Sequence, residues 1–326
     1  MTQEPIGIVL LNLGGPDSLD DVEPFLRNLF SDRKIIRLSP FPFLQKFIAG
    51  RIAAGRAAKS REAYRLIGGG SPLARITMAQ AESLREALTG QGEFVVGMAM
   101  RYWRPRAAEV LESFARQGIR RVVALSLYPH YSIATTGSSL DDLRRAIDRA
   151  GAPFSLAEVR QWPEQPGYVH ALAEAIREGM QGFAGAPVQL VYSAHSLPVK
   201  FIEDGDPYLD QIRQTIAAVE KETGVAGHLC FQSRSGPVQW LAPSTPDMLK
   251  NLADAGCRNI LMVPISFVSD HVETLYEIDI QYRELAESLG MQLVRTASLN
   301  TRPEFIGALA DLVREACRDQ GWLPPR

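Results

Sequence analysis

The sequence predicts an α/β protein made of two similar halves, each a parallel sheet flanked by helices. Three observations predict it. Apolar, strand-like runs alternate with amphipathic helical patterns; one helix and strand unit recurs further along the chain; and each half opens with an apolar run that ends at a proline. The halves are expected to span residues 1–155 and 156–326.

GIVLLNL (Gly7 to Leu13) is a short, continuously apolar run of the kind that forms a strand buried on both faces. An insertion at about residues 35–60 follows, beginning IIRLSPFPFLQKFIAGRI, with Phe41, Phe43 and Phe47, basic Arg37, Lys46 and Arg51, and prolines that forbid a long regular element at its start. An apolar flap flanked by positive charge suits a flat, greasy, anionic ligand or a membrane surface; rings packed onto their own domain are the alternative. The triple glycine of AYRLIGGGSPL (Ala63 to Leu73) lacks the Lys-Ser/Thr ending of a P-loop, the spacing of a dinucleotide site and an opening strand. Ser71 and Pro72 read instead as the cap and first residue of a helix, the glycines permitting close backbone approach. Next come a helix ITMAQAESLREALTG stopping at Gly90, a strand EFVVGMAM, a helix PRAAEVLESFARQG stopping at Gly118 and a strand RRVVALSLY. VQLVYSA (Val188 to Ala194) and NILMVPISF (Asn259 to Phe267) are the strands of the second half.

The repeat gives these elements an order. EVLESFARQGIRRVVALSL (Glu109 to Leu127) aligns without gaps on DMLKNLADAGCRNILMVPI (Asp247 to Ile265), 138 residues later, matching Leu111 with Leu249, Gly118 with Gly256 and Arg120 with Arg258. Chance likeness of two amphipathic units is the alternative. The opening runs LLNLGGP and YSAHSLP end at Pro16 and Pro198, 182 residues apart, so the first half is 44 residues longer between Pro16 and Glu109. Leu13 then corresponds to His195 and Thr135 to Glu273, which leaves the ionisable pair to the second half. Ligand crevices of open α/β sheets form at such strand exits.

Composition narrows the function classes. A chain of 326 residues, 46% hydrophobic and 22% charged, is large enough for two cores, and a net charge of −2 argues against nucleic acid as the main partner. Cys230, Cys257 and Cys317 are odd in number and contain no C-x-x-C pair, which supports neither a disulfide framework nor a zinc ribbon and points to a reducing cytosol. No basic leader precedes the first strand and no run is long enough to cross a bilayer, so a cytoplasmic protein, at most peripheral to a membrane, is expected.

The densest chemistry lies in SDHVETLYEID (Ser269 to Asp279), a histidine and four carboxylates in eleven residues. On a helix, Asp270, Glu273, Glu277 and Glu284 fall at offsets of three, four and seven and share one face, where like charges repel. That arrangement suggests a cation, a protonated partner or a proton path; a solvated acidic face at a helix N-terminus is the alternative. His195, at the exit of its strand, occupies a position equivalent to that of His271.

Seven motifs in order resemble the ferrochelatase family, enzymes that insert ferrous iron into a porphyrin: LLNLGGPDSLDDVEPFLRNLFSDR, YRLIGGGSP, MRYWRP, LYPHYSIATTGSSL, YSAHSLP, CFQSRSGPVQWLAP and VPISFVSDHVETLYEIDIQY. The resemblance implies two Rossmann-like, chelatase-type halves without a dinucleotide, facing across a porphyrin cleft, and protoporphyrin IX and Fe²⁺ as substrates for the last step of haem synthesis. It implies His195 and Glu273 as the central catalytic and metal-handling residues, on opposite sides of the porphyrin centre, with Glu277, His271 and Asp270 extending an acidic path behind Glu273. Tyr64, Ser71, Arg101, Tyr102 and Trp240 match porphyrin-pocket positions, Arg101 as a partner for propionates. Leu13 stands where the family often has methionine, which removes a soft thioether near the macrocycle. The Phe-rich insertion matches the lip at the pocket mouth, where peripheral contact with the inner membrane face and delivery from an upstream porphyrinogen oxidase are expected. No permanently bound cofactor is expected: relatives with an iron–sulfur cluster hold it through C-terminal cysteines, and Cys317 is alone where four thiolates are needed.

Insertion requires the macrocycle to lose two pyrrole protons while Fe²⁺ sheds water, helped by a bend that turns nitrogen lone pairs out of plane. His195, neutral at working pH, and Glu273 are expected to divide proton acceptance and metal delivery, since imidazole and carboxylate both suit ferrous iron. Three rivals stand beside this reading. A chelatase for cobalt or nickel and another tetrapyrrole would dispense with the lip; a coproporphyrin enzyme calls for a more basic pocket than Phe41, Phe43 and Phe47 suggest; a non-catalytic tetrapyrrole carrier needs an axial ligand, not a row of carboxylates.

Overall fold

The computed structural model describes residues 4–325, which divide into two compact units, residues 4–161 with 306–325, and residues 162–305. The first unit contains β1 (Ile6–Asn12), α1 (Val22–Ser31), α2 (Pro42–Leu66), α3 (Leu73–Ala87), β2 (Phe94–Met100), α4 (Ala107–Arg116) and β3 (Arg121–Ser126). A π-helical turn (Ile133–Gly137), α5 (Ser138–Ala150) and β4 (Ser155–Val159) complete its parallel sheet, in the order β2-β1-β3-β4. The second contains α6 (Pro166–Gln181), β5 (Gln189–His195), α7 (Val199–Glu203), α8 (Tyr208–Thr223), β6 (Gly227–Gln232), α9 (Thr245–Asp254) and β7 (Asn259–Pro264). It continues with a π-helix (Glu273–Tyr282), α10 (Arg283–Ser288) and β8 (Gln292–Arg295), and its parallel sheet runs β6-β5-β7-β8. Helix α11 (Pro303–Asp319) closes the chain. The expected border after residue 155 falls inside β4, a strand of the first sheet, and residues from Ile306 onward group with the first unit.

The two sheets have one topology, and the repeat read from the sequence is kept in detail. Helix α9 and strand β7 begin and end 138 residues after α4 and β3. Between helix and strand the chain must reverse through a left-handed residue, and Gly118 and Gly256 supply it with φ of +74° and +83°. Helix α4 buries Ala107, Val110, Leu111 and Phe114, the i, i+3, i+4, i+7 stripe of an amphipathic helix, against Val9, Leu11, Val122 and Ala124. It sits close to the sheet because Gly7 and Gly97 present no side chain there. A Cβ on Gly7 would come within 2.5 Å of the Phe114 ring, and one on Gly97 within 2.9 Å of Val110. In the second unit Leu249, Leu252, Ile260, Met262 and Leu293 pack with Ile278 and Tyr282, so the π-helix is itself part of the core.

The extra residues of the first half form α1, the start of α2 and the loop between them. Prolines keep that loop irregular, and Pro42 then opens a 25-residue helix whose Ala49, Ala53 and Ala57 are buried, small residues that allow α1 to approach. Phe41, Phe43 and Phe47 are 56%, 75% and 66% exposed, so the rings do not pack onto their own domain. Helix α3 starts one residue later than expected, with Pro72 as its cap; Ser71 Oγ still accepts the Leu73 N–H at 3.3 Å. The close approach foreseen for the glycines is present: the Ser71 N–H donates to the Pro16 carbonyl at 2.7 Å, and Gly70 lies against the Asp17 carbonyl with no room for a Cβ. Among the described residues no helix is long and apolar enough to cross a membrane.

These contacts set a test of packing. Gly7→Ala should destabilise the protein by about 1–3 kcal/mol through overpacking, whereas Gly55→Ala, where a Cβ meets nothing within 4 Å, should stabilise it by roughly 0.5–1 kcal/mol. Denaturant unfolding of the two variants measures both; equal stabilities would contradict the packing.

Candidate active site

The site of the second unit forms at the carboxyl ends of its strands. His195 is the last residue of β5, and Gln232, the last residue of β6, is its partner in the sheet register. The His195 backbone is held on both sides: its N–H donates to Ser266 Oγ at 3.0 Å and its carbonyl accepts from Tyr208 OH at 2.9 Å. Beyond β7 the chain enters the π-helix at Glu273, whose Oε2 lies 2.8 Å from His195 Nδ1. His195 keeps 36% of its side chain exposed and Glu273 18%, so the imidazole is the more accessible member.

This contact corrects the expected placement of His195 and Glu273 on opposite sides of a porphyrin. A carboxylate hydrogen-bonded to the imidazole is bound to the same face as the imidazole. A second correction concerns the acidic row. Asp270 does not join Glu273; its carboxylate accepts from Ser298 Oγ at 2.7 Å and Asn300 Nδ2 at 2.9 Å and pairs with Arg295 at 3.1 Å. Arg295, 10% exposed, also grips Asp279 with Nε at 3.0 Å and Nη2 at 2.8 Å. Asp270 precedes the π-helix and Asp279 lies within it, and Arg295 ties the two together. Glu284 is exposed on α10 and takes no part.

What remains with Glu273 is Glu277, one turn on. Glu277 Oε2 accepts from Ser233 Oγ at 2.6 Å and Gln232 Nε2 at 3.2 Å, and the same amide donates to the Glu273 carbonyl at 3.1 Å. Gln232 Oε1 accepts from Ser193 Oγ at 2.7 Å, which fixes the amide's orientation. Burial and then the Glu273 charge push the Glu277 carboxyl up to about 7, against the hydrogen bonds from Ser233 and Gln232. Burial acts the same way on Glu273 but is outweighed by His195, which holds that carboxyl far below the usual range. For His195 burial disfavours the charge, and the Glu273 carboxylate more than offsets it, so the imidazole is shifted up. Two carboxyls four residues apart are thereby split into one ionised and one protonated near neutrality, the pattern of a divided acid and base.

His271 is buried and shifted down by burial, so it is neutral. Its Nδ1–H donates to the Ser269 carbonyl at 3.0 Å, which leaves the Nε2 lone pair without a hydrogen-bond partner, 4.0 Å from Glu273 Oε2. Trp240, also of this unit, is half-buried with its indole N–H unpartnered.

The other expected site residues belong to the first unit. Leu13 is half-buried just after β1, Tyr64 is buried in α2, and Ser71 precedes α3. Arg101 and Tyr102 are committed to a carboxylate: Arg101 Nη2 lies 2.8 Å and Tyr102 OH 2.7 Å from Asp32 Oδ2. The propionate role expected of Arg101 would require that buried ion pair to open. Sequence reasoning missed Gln232, Ser233, Ser266, Tyr208, Asp32 and Arg295. For Gln232 a signal existed, a polar residue ending the strand-like GHLCFQ; the others are visible only through their partners.

The ferrochelatase family model matches residues 5–317 of this chain. The ferrochelatase of Desulfotalea psychrophila is 54% identical over 97% of this chain and 98% of its own length, and that of Geobacter metallireducens is 54% identical over 96% and 99%. The ferrochelatase of Cyanothece is 46% identical over 95% of this chain and 82% of its own. Among solved structures, SirB from Bacillus subtilis with Fe³⁺ covers 99% of both chains with a TM-score of 0.58 at 11% identity, a likeness of fold alone. With its motifs matched in order and relatives more than half identical over nearly the whole length, the chain belongs to the ferrochelatase family.

Proposed function

We propose that His195 and Glu273 act as one hydrogen-bonded unit in the insertion of Fe²⁺ into protoporphyrin IX, with His195 Nε2 meeting the macrocycle and Glu277 taking protons onward. The chain is a ferrochelatase, an enzyme that forms protohaem, on the strength of family membership over nearly its entire length. The observation that carries the division of roles is the 2.8 Å contact between His195 Nδ1 and Glu273 Oε2.

Donation of the Nδ1–H to the carboxylate leaves Nε2 of the neutral ring with its lone pair, on a side chain that is 36% exposed. That lone pair accepts a pyrrole proton, and the imidazolium formed lies against an ionised carboxylate that stabilises it, the role a buried acid plays behind a catalytic histidine. Glu277, raised toward neutrality and linked to Glu273 by Gln232, can take up and release protons at working pH, so it is the next station. Ferrous iron, a substrate here, finds imidazole and carboxylate on this one face, two ligands that suit it without holding it permanently. This reading uses no resident cofactor. The exposed Phe41, Phe43 and Phe47 serve as the lip through which a sparingly soluble porphyrin enters. They would also give a cytoplasmic protein peripheral contact with the inner membrane face and a surface for an upstream porphyrinogen oxidase.

Anaerobic absorbance of free-base protoporphyrin IX mixed with Fe²⁺ tests the pair. His195→Ala and Glu273→Ala should each lower kcat by on the order of 10²–10⁴, and loss in only one of them would contradict a joint role. Glu277 makes a second prediction. Its folded pKa is raised to about 7, so the stability of its neutral form is fully present below the ordinary carboxylate pKa and is lost as pH rises through the folded value. Relative to the parent, Glu277→Gln should therefore gain stability between about pH 5 and pH 8; parallel stability curves for the two proteins would overturn the shift.

A further inference from the structure

We propose that Arg101 and Tyr102 act on porphyrin binding through Asp32, as positioning residues that hold the Phe-rich lip, and not as contacts to the porphyrin's propionates. The inference rests on the reading of Phe41, Phe43 and Phe47 as the lip that receives the porphyrin. Asp32 is the residue at which α1 ends and the lip loop begins. Its Oδ2 accepts from Arg101 Nη2 at 2.8 Å, from Tyr102 OH at 2.7 Å and from Ser138 Oγ, and its Oδ1 accepts the Lys34 N–H at 2.8 Å. Its backbone carbonyl accepts from the N–H groups of Ile35 and Ile36, both at 3.2 Å. The carboxylate is 8% exposed and fully used.

Arg101 is used as fully. Nε donates to Ser138 Oγ at 2.6 Å, Nη2 to Asp32, and Nη1 lies 3.5 Å from Asp142, while the guanidinium stacks on the Tyr102 ring at 4.9 Å. Pairing it with a propionate would strip a buried carboxylate of its main cation, a costly exchange. Beyond Asp32 the loop is held by polar contacts. Arg33 donates to the carbonyls of Ser39 and Pro40 at 3.0 and 3.3 Å. Buried Gln45 accepts the Leu38 N–H at 3.1 Å and donates to the Phe30 and Ile36 carbonyls, both at 2.9 Å. Lys34 adds an ion pair to Asp141 in the first turn of α5. Phe41 ends this irregular loop, Phe43 and Phe47 follow in the first turns of α2, and none of the three rings is buried, so the loop's shape depends on its polar anchors, which Asp32 joins to Arg101, Tyr102 and Ser138.

The experiment uses the full-length enzyme with Asp32→Asn, Arg101→Gln, Tyr102→Phe and the Asp32→Asn/Arg101→Gln double variant, assayed with protoporphyrin IX and with its dimethyl ester, whose propionates are masked. If the lip is competent only a tenth of the time in a variant, the porphyrin KM rises about tenfold. That rise is expected in Asp32→Asn and Arg101→Gln, with kcat and the KM for Fe²⁺ little changed, with the ester affected as strongly as the acid, and with the double variant no worse than the singles. Amide hydrogen exchange over residues 33–41 should quicken in the same variants. Tyr102→Phe removes one hydrogen bond with little change of shape and supplies the answer, in KM and in exchange, should the charge variants fail to fold. Multiplying effects of Arg101 and Asp32 that vanish with the ester would overturn the positioning role and restore a propionate contact. An unchanged porphyrin KM with quickened exchange would overturn the inference by removing the lip from porphyrin binding, while leaving His195 and Glu273 in place.

Discussion

A hydrogen bond between an imidazole and a carboxylate, each from a different part of the second unit, is the interaction on which the site depends. His195 comes from the end of β5 and Glu273 from the first residue of a π-helix 78 residues later, and the bond joins them at 2.8 Å. Each backbone is held by a neighbouring side chain: Ser266 and Tyr208 grip the peptide groups of His195, and Gln232 grips the carbonyl of Glu273. The electrostatics follow from the same bond. Because Glu273 stays ionised opposite His195, its charge adds to burial in keeping Glu277 protonated toward neutral pH.

The helix that carries both carboxyls is wound more widely than an α-helix, a form with little intrinsic preference. Two features of this chain hold it. Ile278 and Tyr282 fasten its inner side into the core, and Arg295 at the end of β8 takes Asp279 with two nitrogens and Asp270 with a third contact. The first unit has a π-helical turn at the corresponding place, Ile133–Gly137, but its sequence is IATTG and contains no carboxylate. The two units thus share a backbone device, and side chains alone make one of them chemical. Fold likeness and reaction are separable.

Much of the fold was legible because long apolar strands and amphipathic helices announce themselves. β1, β2, β3, β5 and β7 lie where apolar runs predicted them, and the repeat fixed the relation of α4 and β3 to α9 and β7. β4, β6 and β8 were not read: they are edge strands of five, six and four residues, partly exposed and broken by polar residues such as His228, Gln232 and Gln292. His195, His271, Glu273 and Glu277 were singled out from charge density and strand exits, and they do converge. Their mutual geometry was not legible. A 3.6-residue period applied to Asp270 through Glu284 places on one face groups that the structure separates, since Asp270 precedes the π-helix and is held by Arg295 while Glu284 lies beyond it on α10, and nothing in the local sequence of Arg101 or Tyr102 names Asp32 as their partner.

The most direct test of the paired site is the titration of His195 by nitrogen NMR of the imidazole in ¹⁵N-labelled protein, without metal or porphyrin, in the parent and in Glu273→Ala. In the parent the ring should titrate above the ordinary histidine value of about 6.5, because the Glu273 carboxylate outweighs burial. In Glu273→Ala, where burial acts with its main counter-charge removed, the pKa should fall markedly. The same His195 pKa in both proteins would contradict a hydrogen-bonded pair and the mechanism built on it.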